Sequence, residues 1–245
     1  MRLGARHGSV TAEEPWFATE PGWPASVACR GVLLAPFRRR DIPAWERVRT
    51  RNRAWLAPWD ATSPPGAPRR FDSYRQMVAG LNRDARRGRC LPWLIWFDAH
   101  GDGRAELAGQ LTVSSIVYGA ARSATVGYWI DQRWAGRGIM PMAVALATDY
   151  CFQTLRLHRV EISIRPENAP SLRAVTKLGF RHEGLRPRYL HIAGDWRDHE
   201  SFALHAEEVP HGLWRRLPSD VPRRNESPCQ AGVKAGLEGT GRGTA

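Results

Sequence analysis

The 245-residue chain has few cysteines and almost no lysine. Its four cysteines form no C-x-x-C pair and have no histidine at zinc-ligand spacing, so we expect reduced, unpaired thiols and no bound metal. Only two of the 36 basic residues are lysines. Such exclusive use of arginine is typical of a genome-wide coding bias. The net charge of +12 is therefore weak evidence for an acidic partner, and we predict no direct nucleic-acid binding.

Long apolar runs are also absent. The longest, residues 138–147, stops at Thr148 and Asp149 after about ten residues, whereas a bilayer requires roughly 20. The first 28 residues carry three glutamates and several prolines without an apolar segment, which does not fit a secretory signal peptide. These absences predict a cytoplasmic protein without membrane contact.

The remaining composition predicts one folded domain with peripheral ends. With 42% hydrophobic and 24% charged residues, the chain can build a sizeable core. Residues 1–28 lack hydrophobic periodicity, and the end of the chain is rich in proline, glycine, serine and arginine. We predict an N-terminal extension over 1–28, a domain over 29–209 and a flexible tail over 210–245.

Hydrophobic periodicity within this domain predicts a mixed α/β fold. Seven strands are expected, at 32–37, 91–97, 107–117, 123–130, 159–164, 181–192 and 196–205. Four helices are expected between them: one capped by Asp41, one by Asp72 or Ser73, one over 141–155, and one over 168–178 that ends at Gly179.

The most informative segment is Y-W-I-D-Q-R-W-A-G-R-G-I-M-P, residues 128–141, which predicts a strand, a loop and the start of a helix. Gly136 and Gly138 leave backbone N–H groups uncovered at the helix N-terminus, where a phosphate or pyrophosphate is favoured. The alternative is a plain turn between strand and helix. Neither a G-K-S/T P-loop ending nor a G-x-G-x-x-G motif is present.

A second segment, H-R-V-E-I-S-I-R-P-E-N-A-P-S-L-R-A-V-T-K-L-G-F at 158–180, places an N-x-x-S sequence at the start of the next helix. Together the two segments resemble the acetyl-CoA-binding core of the GNAT acetyltransferases, and the resemblance extends from about Cys29 to Val209. Within that family the chain is most similar to ribosomal-protein N-terminal alanine acetyltransferases of the RimJ and RimL type. The GNAT resemblance implies a mixed central sheet of about seven strands flanked by four helices.

The resemblance also implies which residues bind acetyl-CoA. Backbone amides from Ala135 to Met140 would hold the pyrophosphate, and Asn168 would contact the pantetheine arm or cap its helix. A backbone N–H at Trp129 or Ile130 would polarise the thioester carbonyl. The complete implied set is Trp129, Ile130, Ala135, Gly136, Arg137, Gly138, Ile139, Met140, Asn168 and Ser171.

The expected reaction is direct acyl transfer from acetyl-CoA to an amine, which needs a proton donor for the leaving sulfur and a base for the amine. Ser171 matches the donor position of the RimL-like branch. The base is open, because Leu190 stands where the RimL-type glutamate is expected. Glu183 and His191 are the principal candidates, with Asp198 and His199 also possible, or a water chain in their place.

The acceptor is expected in a groove between the first helices and the last hairpin, with Arg51, Asn52, Trp55, Trp59 and Tyr128 as substrate-binding residues. The first hypothesis is an N-terminal α-amine, plausibly of a ribosomal protein. The second is a small amine such as an aminoglycoside, a polyamine or an amino acid. The third is an RNA- or ribosome-binding module on the same scaffold. A monomer and a homodimer are both compatible with the sequence.

Overall fold

The computed structural model describes residues 23–68, 71–218 and 230–232, which form one mixed sheet with helices on both faces. The strands are β1 (Ser26–Cys29), β2 (Val32–Pro36), β3 (Leu91–Phe97), β4 (Glu106–Val117), β5 (Ser123–Ile130), β6 (Arg159–Ile164), β7 (Arg181–Ile192), β8 (Asp195–His205) and β9 (Gln230–Gly232). The helices are α1 (Ile42–Arg51), α2 (Arg53–Leu56), α3 (Tyr74–Arg86), α4 (Ile139–Asp149) and α5 (Ala169–Leu178). The order across the sheet is β7-β8-β6-β5-β4-β3-β2-β1-β9.

The centre of the sheet contains a gap. β5 and β6 are parallel, but only residues 123–125 pair with residues 159–161. Beyond that point β5 pairs with β4 alone as far as Ile130, and β6 pairs with β8 alone as far as Ile164. The two strands therefore separate at their carboxyl ends. In α/β sheets, ligands bind outside the carboxyl ends of parallel strands where the strand order opens.

The two faces of the sheet carry separate apolar clusters. The larger contains α4 and α5 with the inward side chains of β6, among them Val160 and Ile162. All of α4 except Pro141 is buried, as expected for a helix that is apolar on every side. The other face packs α1 and α3 against Leu94 and Leu107. The helical spacing of Ile42, Trp45 and Val48 puts one side of α1 into this second cluster.

The predicted fold class is confirmed. All seven predicted strands are present, with ends that differ by at most one residue. The sequence did not predict β1 or β9, and it predicted one helix over 41–56 where the structure has α1 and the short helix α2. The third predicted helix begins at Ile139, two residues before the predicted start, and continues after Asp149 as a π-helical turn over Tyr150–Thr154.

The predicted domain boundaries differ from those of the folded part. β1 begins at Ser26, inside the predicted extension, and Leu213 and Leu217 of the predicted tail are buried in the main core. Residues 230–232 pair with β1, so part of the predicted tail joins the sheet. Cys151 is a free buried thiol, as expected, whereas Cys29 is disulfide-bonded, so the expectation of unpaired thiols is wrong at that position.

Two further features follow from the described residues. None of their helices is both long and apolar enough to cross a bilayer. Their histidine, cysteine, aspartate and glutamate side chains form no group of three or more that is placed to hold a metal ion.

Candidate active site

The loop between β5 and α4 presents five consecutive backbone amides, those of residues 136–140, that donate to no described residue. Gly136 and Gly138 have φ angles of +78° and +77°, in the left-handed region that favours glycine. A Cβ added at either glycine would meet no atom within 4 Å, so the space above the loop is open. Gly138 is the N-cap of α4, where unpaired amides and the helix dipole attract an anion. We call residues 136–140 the amide cradle.

The cradle is shorter than the sequence predicted. The Ala135 N–H donates to the Gln132 carbonyl at 3.2 Å, so it is committed to the preceding turn and does not face a ligand. The Arg137 guanidinium lies 5.1 Å from the centre of the Trp134 ring. This contact keeps a cation beside the open amides, as expected for a pyrophosphate site.

Asp131, which the sequence did not single out, anchors the approach to the cradle. Its carboxylate is 1% exposed and accepts hydrogen bonds from Arg51 Nε at 3.1 Å, Asn52 Nδ2 at 3.0 Å and the Arg133 N–H at 3.2 Å. Burial favours a higher pKa for Asp131, but these three donors together lower the pKa below its usual value. The Asn52 Oδ1 atom accepts the Gln132 N–H at 2.9 Å.

Arg51 and Asn52 therefore connect α1 to the loop that precedes the cradle. Asn52 is buried, and its amide also donates to the Val48 carbonyl at 2.8 Å, so the side chain is occupied by the protein itself. Both side chains support the cradle, but only Asn52 is buried, whereas the Arg51 side chain is 39% exposed at the surface of α1. In the sequence, the only indication of this supporting role was the position of Asp131 between β5 and the glycine loop.

The unpaired half of β5 forms one edge of the gap. The backbone of Trp129 and Ile130, the predicted source of the N–H that polarises the thioester carbonyl, lies there. Trp55 Nε1–H donates to the Ile130 carbonyl at 3.1 Å, which fixes the end of the strand. Trp129 packs on the α1 face, 6.4 Å from the ring of Trp45, and the Arg49 guanidinium lies 5.2 Å above it. Trp55 and Trp129 therefore shape the gap from the side opposite α4.

Tyr128 and Ser171 meet on the α4 and α5 side of the gap. Tyr128 packs against the larger core, and its buried hydroxyl faces Ser171 without reaching full hydrogen-bond geometry. Burial raises the pKa of Tyr128 to about 12, against a smaller lowering effect of the neighbouring Ser171. Tyr128 was predicted to bind the acceptor, but the structure places its hydroxyl on the cofactor side, beside the predicted proton donor.

Asn168 is the N-cap of α5. Its Oδ1 atom accepts the Ser171 N–H at 3.2 Å, so the predicted capping role is confirmed. This cap fixes the first turn of α5 and leaves the Ser171 hydroxyl at the gap.

The β7–β8 hairpin covers the other side of the gap by docking on the loop after α2. Thr62 N–H donates to the His191 carbonyl at 2.9 Å, and Ala193 N–H donates to the Asp60 carbonyl at 3.0 Å. His191 Nδ1 lies 2.7 Å from Thr62 Oγ1, and the ring packs against Trp196. The structure thus shows His191 fastening the hairpin to the loop.

Trp59 lies in the same loop, as the sequence predicted for the acceptor groove. The Arg165 guanidinium lies 5.4 Å from its ring centre and donates to the Pro58 carbonyl at 2.6 Å. Arg165 directly follows β6, so this contact ties the loop to the carboxyl end of β6. The loop and the hairpin therefore pack together on the α1 side of the gap.

Glu183 does not belong to this site. It pairs with Arg159, the first residue of β6, at the end of the strand opposite the gap. The hydrogen bond from Arg159 lowers the pKa of Glu183, which stabilises its ionised form and weakens it as a base. The prediction of Glu183 as the general base is therefore wrong, because the fold carries it away from the separated strands.

Comparison with known proteins agrees with this geometry. The acetyltransferase (GNAT) domain family matches residues 32–181. The crystal structure of Mycobacterium smegmatis RimJ in complex with CoA-disulfide has 40% sequence identity and a TM-score of 0.72, covering 81% of this chain and 96% of that one. The Escherichia coli ribosomal protein uS5-alanine N-acetyltransferase is 28% identical over 166 residues, 68% of this chain and 76% of the relative.

A third relative, the probable N-acetyltransferase YjcK of Bacillus subtilis, is 40% identical over 98 residues, which are 40% of this chain. The matched part spans only 54% of YjcK, about half of its length. The match of the family to more than half of the chain, the separated parallel strands and the amide cradle lead to one conclusion. The chain belongs to the GNAT acetyltransferase family and is an N-acetyltransferase of that family.

Proposed function

We propose that the protein transfers the acetyl group of acetyl-CoA to the N-terminal α-amine of a protein, and that this acceptor is a ribosomal protein. The observation that carries the proposal is the amide cradle, which lies at the mouth of the gap between β5 and β6. Relatives named RimJ and uS5-alanine N-acetyltransferase support both the donor and the acceptor class. The predicted cytoplasmic location is part of this proposal.

The two sides of the gap have different chemistry, which supports separate entry of the two substrates. The α4 side offers the free amides and Arg137 to a pyrophosphate. A thioester extended from there along the free edge of β5 reaches Tyr128 and Ser171. The α1 side is enclosed by the loop and the hairpin, and the amine enters from it. Attack then takes place within the gap, where water is largely excluded.

Tyr128 and Ser171 supply hydrogen-bond donors to the leaving sulfur. A hydroxyl with a raised pKa stays protonated at neutral pH, so Tyr128 keeps a proton to donate. Ser171 lies beside it in the first turn of α5. The two hydroxyls stabilise the thiolate as the carbon–sulfur bond breaks.

An α-amine suits this site better than a lysine. The pKa of an α-amine is about 8, against about 10.4 for lysine, so a larger fraction is neutral and nucleophilic at pH 7. A site for a polyamine would need carboxylates to hold its cations. On the acceptor side Asp60 is already bound by Arg49 through two hydrogen bonds of 3.1 and 2.7 Å.

The test is acetyl-CoA turnover, followed by thiol release, with peptides that begin with alanine or serine and copy ribosomal-protein N-termini. The matched control is the same peptide with a blocked α-amine and a free internal lysine. We expect release only with the free α-amine. Release only with small amines would favour the small-amine hypothesis over the protein N-terminus. Salt-dependent RNA binding without turnover would favour the binding-module hypothesis.

A further inference from the structure

A polar stripe crosses the sheet on the face opposite α4 and α5. Ile162 and Ile164 of β6 and Phe202 of β8 point into the larger core. Because side chains alternate along a strand, Ser163 and Ser201 project from the other face, where they are direct cross-strand neighbours. His199 precedes Ser201 by two residues and shares its face. We call Ser163, Ser201 and His199 the polar stripe.

The hydroxyls of the stripe are buried and unused. Ser163 Oγ and Ser201 Oγ have no hydrogen-bond partner in the described chain, and neither does the buried Nε of Arg197, two residues before His199. Buried polar atoms in folded proteins nearly always have a partner, either in the protein or in ordered water. Two such atoms in the stripe and a third on the neighbouring Arg197 therefore indicate a place for bound water or a polar substrate group.

His199 is arranged as a proton acceptor. The ring is 3% exposed, and its Nδ1 atom lies 3.0 Å from the Arg197 carbonyl, which can only accept. Nδ1 therefore carries the hydrogen, and the Nε2 atom keeps its lone pair with no partner in the described chain. Burial lowers the pKa of His199 and keeps the ring neutral at pH 7. The hydrogen bond to the carbonyl and the nearby carboxylates of Asp198 and Glu167 act in the opposite direction.

The polar stripe lies beside the carboxyl-terminal part of β6, where the gap is open. Ser163 is in the part of β6 that follows Glu161, the last residue paired with β5. Arg165 follows β6, interacts with His199 and reaches Pro58 in the loop that encloses the acceptor side. The stripe thus extends from the edge of the gap towards the hairpin, on the face from which the amine is proposed to enter.

We infer that His199 accepts the proton that the attacking amine loses, through Ser163 and Ser201. This inference rests on the proposed acetyl transfer. The nitrogen forms its bond to the acetyl carbon and releases one proton to the hydroxyl relay, which delivers a proton to Nε2. The carbon–sulfur bond breaks, and CoA leaves as a thiolate that the Tyr128 and Ser171 hydroxyls stabilise by hydrogen bonding. His199 then returns its proton to solvent. The relay is needed because successive residues on one face are about 7 Å apart, so one bridging water completes the path.

The charged and titratable groups that face His199 are spread over three elements. Arg197 and Asp198 lie on β8, Arg186 and Tyr189 on β7, and Arg165 and Glu167 after β6. The guanidinium of Arg165 opposes protonation, and the carboxylates of Asp198 and Glu167 favour it. The acid limb of the pH profile therefore reports the whole group, with His199 as the residue that takes up the proton.

The test uses the full chain with the best peptide or amine acceptor and measures kcat/KM from pH 5.5 to 9.5. For His199→Gln we expect kcat to fall about 100-fold or more and the acid limb assigned to His199 to disappear, with the Kd of acetyl-CoA unchanged within about two-fold. Ser201→Ala, which removes an unpartnered hydroxyl and should not impair folding, should lower kcat about 10-fold at unchanged thermal stability. His182→Gln, an exposed histidine paired with Glu200, is the matched control and should behave as the unsubstituted protein.

Unchanged kcat with the acid limb in place in His199→Gln would overturn the inference. So would a Ser201→Ala protein that keeps full activity. If the unsubstituted protein acetylates no amine, the proposed function fails, and nitrogen NMR of the His199 ring with acetyl-CoA present decides the inference separately. A neutral ring with hydrogen on Nδ1 at pH 7 supports it, and a charged ring or hydrogen on Nε2 contradicts it.

Discussion

The two ends of β6 differ in whether their polar side chains have hydrogen-bond partners. At the amino end Arg159 donates to Glu161 at 2.8 Å and to Glu183 at 2.9 Å, and Arg186 donates to Glu161 at 3.0 Å. At the carboxyl end the hydroxyls of Ser163 and Ser201 have no partner in the described chain. The sheet is continuous at the first end and open at the second. The ion pairs at the first end hold neighbouring strands together, whereas the two serine hydroxyls lie where β5 and β6 have separated.

The largest expected effect comes from filling the cradle. Gly138→Trp places an indole over the amides and a side chain at a φ of +77°, so we expect acetyl-CoA affinity to fall at least 100-fold. Calorimetric titration measures it, with circular dichroism to verify folding. Gly103→Trp is the matched control, because Gly103 also has a positive φ and nothing within 4 Å but lies in a turn after β3. Equal affinity in both variants would contradict the cofactor site.

The second largest effect is expected from removing the buried carboxylate of Asp131. Asp131→Asn loses the charge that holds Arg51, Asn52 and Arg133, and a hydrogen bond to a charged group contributes about 1.5–3 kcal/mol, so we expect a loss of about 2 kcal/mol in the free energy of unfolding. Urea denaturation measures this loss. Asp60→Asn, which breaks a more exposed pair with Arg49, should cost less than about 1 kcal/mol.

The loss of stability in Asp131→Asn should depend on pH in a defined direction. The folded-state pKa of Asp131 lies below the unfolded value of about 3.9. Its stabilising contribution is therefore complete above about pH 4 and is lost as the pH falls through the folded-state pKa. The difference in the free energy of unfolding between the unsubstituted protein and Asp131→Asn should be constant from pH 5 to 8 and shrink below pH 4. A free-energy difference that grows on acidification would contradict this account.

Removing the hydroxyls at the cofactor side should separate catalysis from stability. Tyr128→Phe and Ser171→Ala should each lower kcat about 10-fold or more, with little change in acetyl-CoA affinity. Tyr128→Phe should also leave the melting temperature unchanged or higher, because the lost hydroxyl does not reach full hydrogen-bond geometry in the described chain. Loss of stability without loss of kcat would show that the hydroxyl is structural.

The smallest effect is expected at the paired end of β6. Glu183→Gln should leave kcat within about two-fold of the unsubstituted value and cost less than about 1 kcal/mol of stability, because the ion pair with Arg159 is partly exposed. Since the pKa of Glu183 is lowered, that small contribution should begin to shrink near pH 4 and disappear as the pH falls through the folded-state pKa. A large loss of kcat would restore Glu183 as a candidate base and weaken the contrast between the two ends.

The sequence identified two segments of the candidate site. Glycine spacing at 136–138 predicted the cradle, and Asn168 followed by Ser171 predicted the capped first turn of α5, because both depend on local backbone geometry. Strand positions also followed from local alternation and propensity. Ala135 was included wrongly, since its amide closes a turn that the sequence alone does not reveal.

The sequence by itself therefore determined the elements, the family and the position of the open glycine loop, all of which depend on contacts within a few residues. Only the tertiary structure decided which distant side chains share a site. It carried Glu183 to the closed end of β6, assigned His191 to the hairpin contact and brought Tyr128 beside Ser171. The physical reason is that strand register and the point where β5 leaves β6 are set by the packing of the whole sheet.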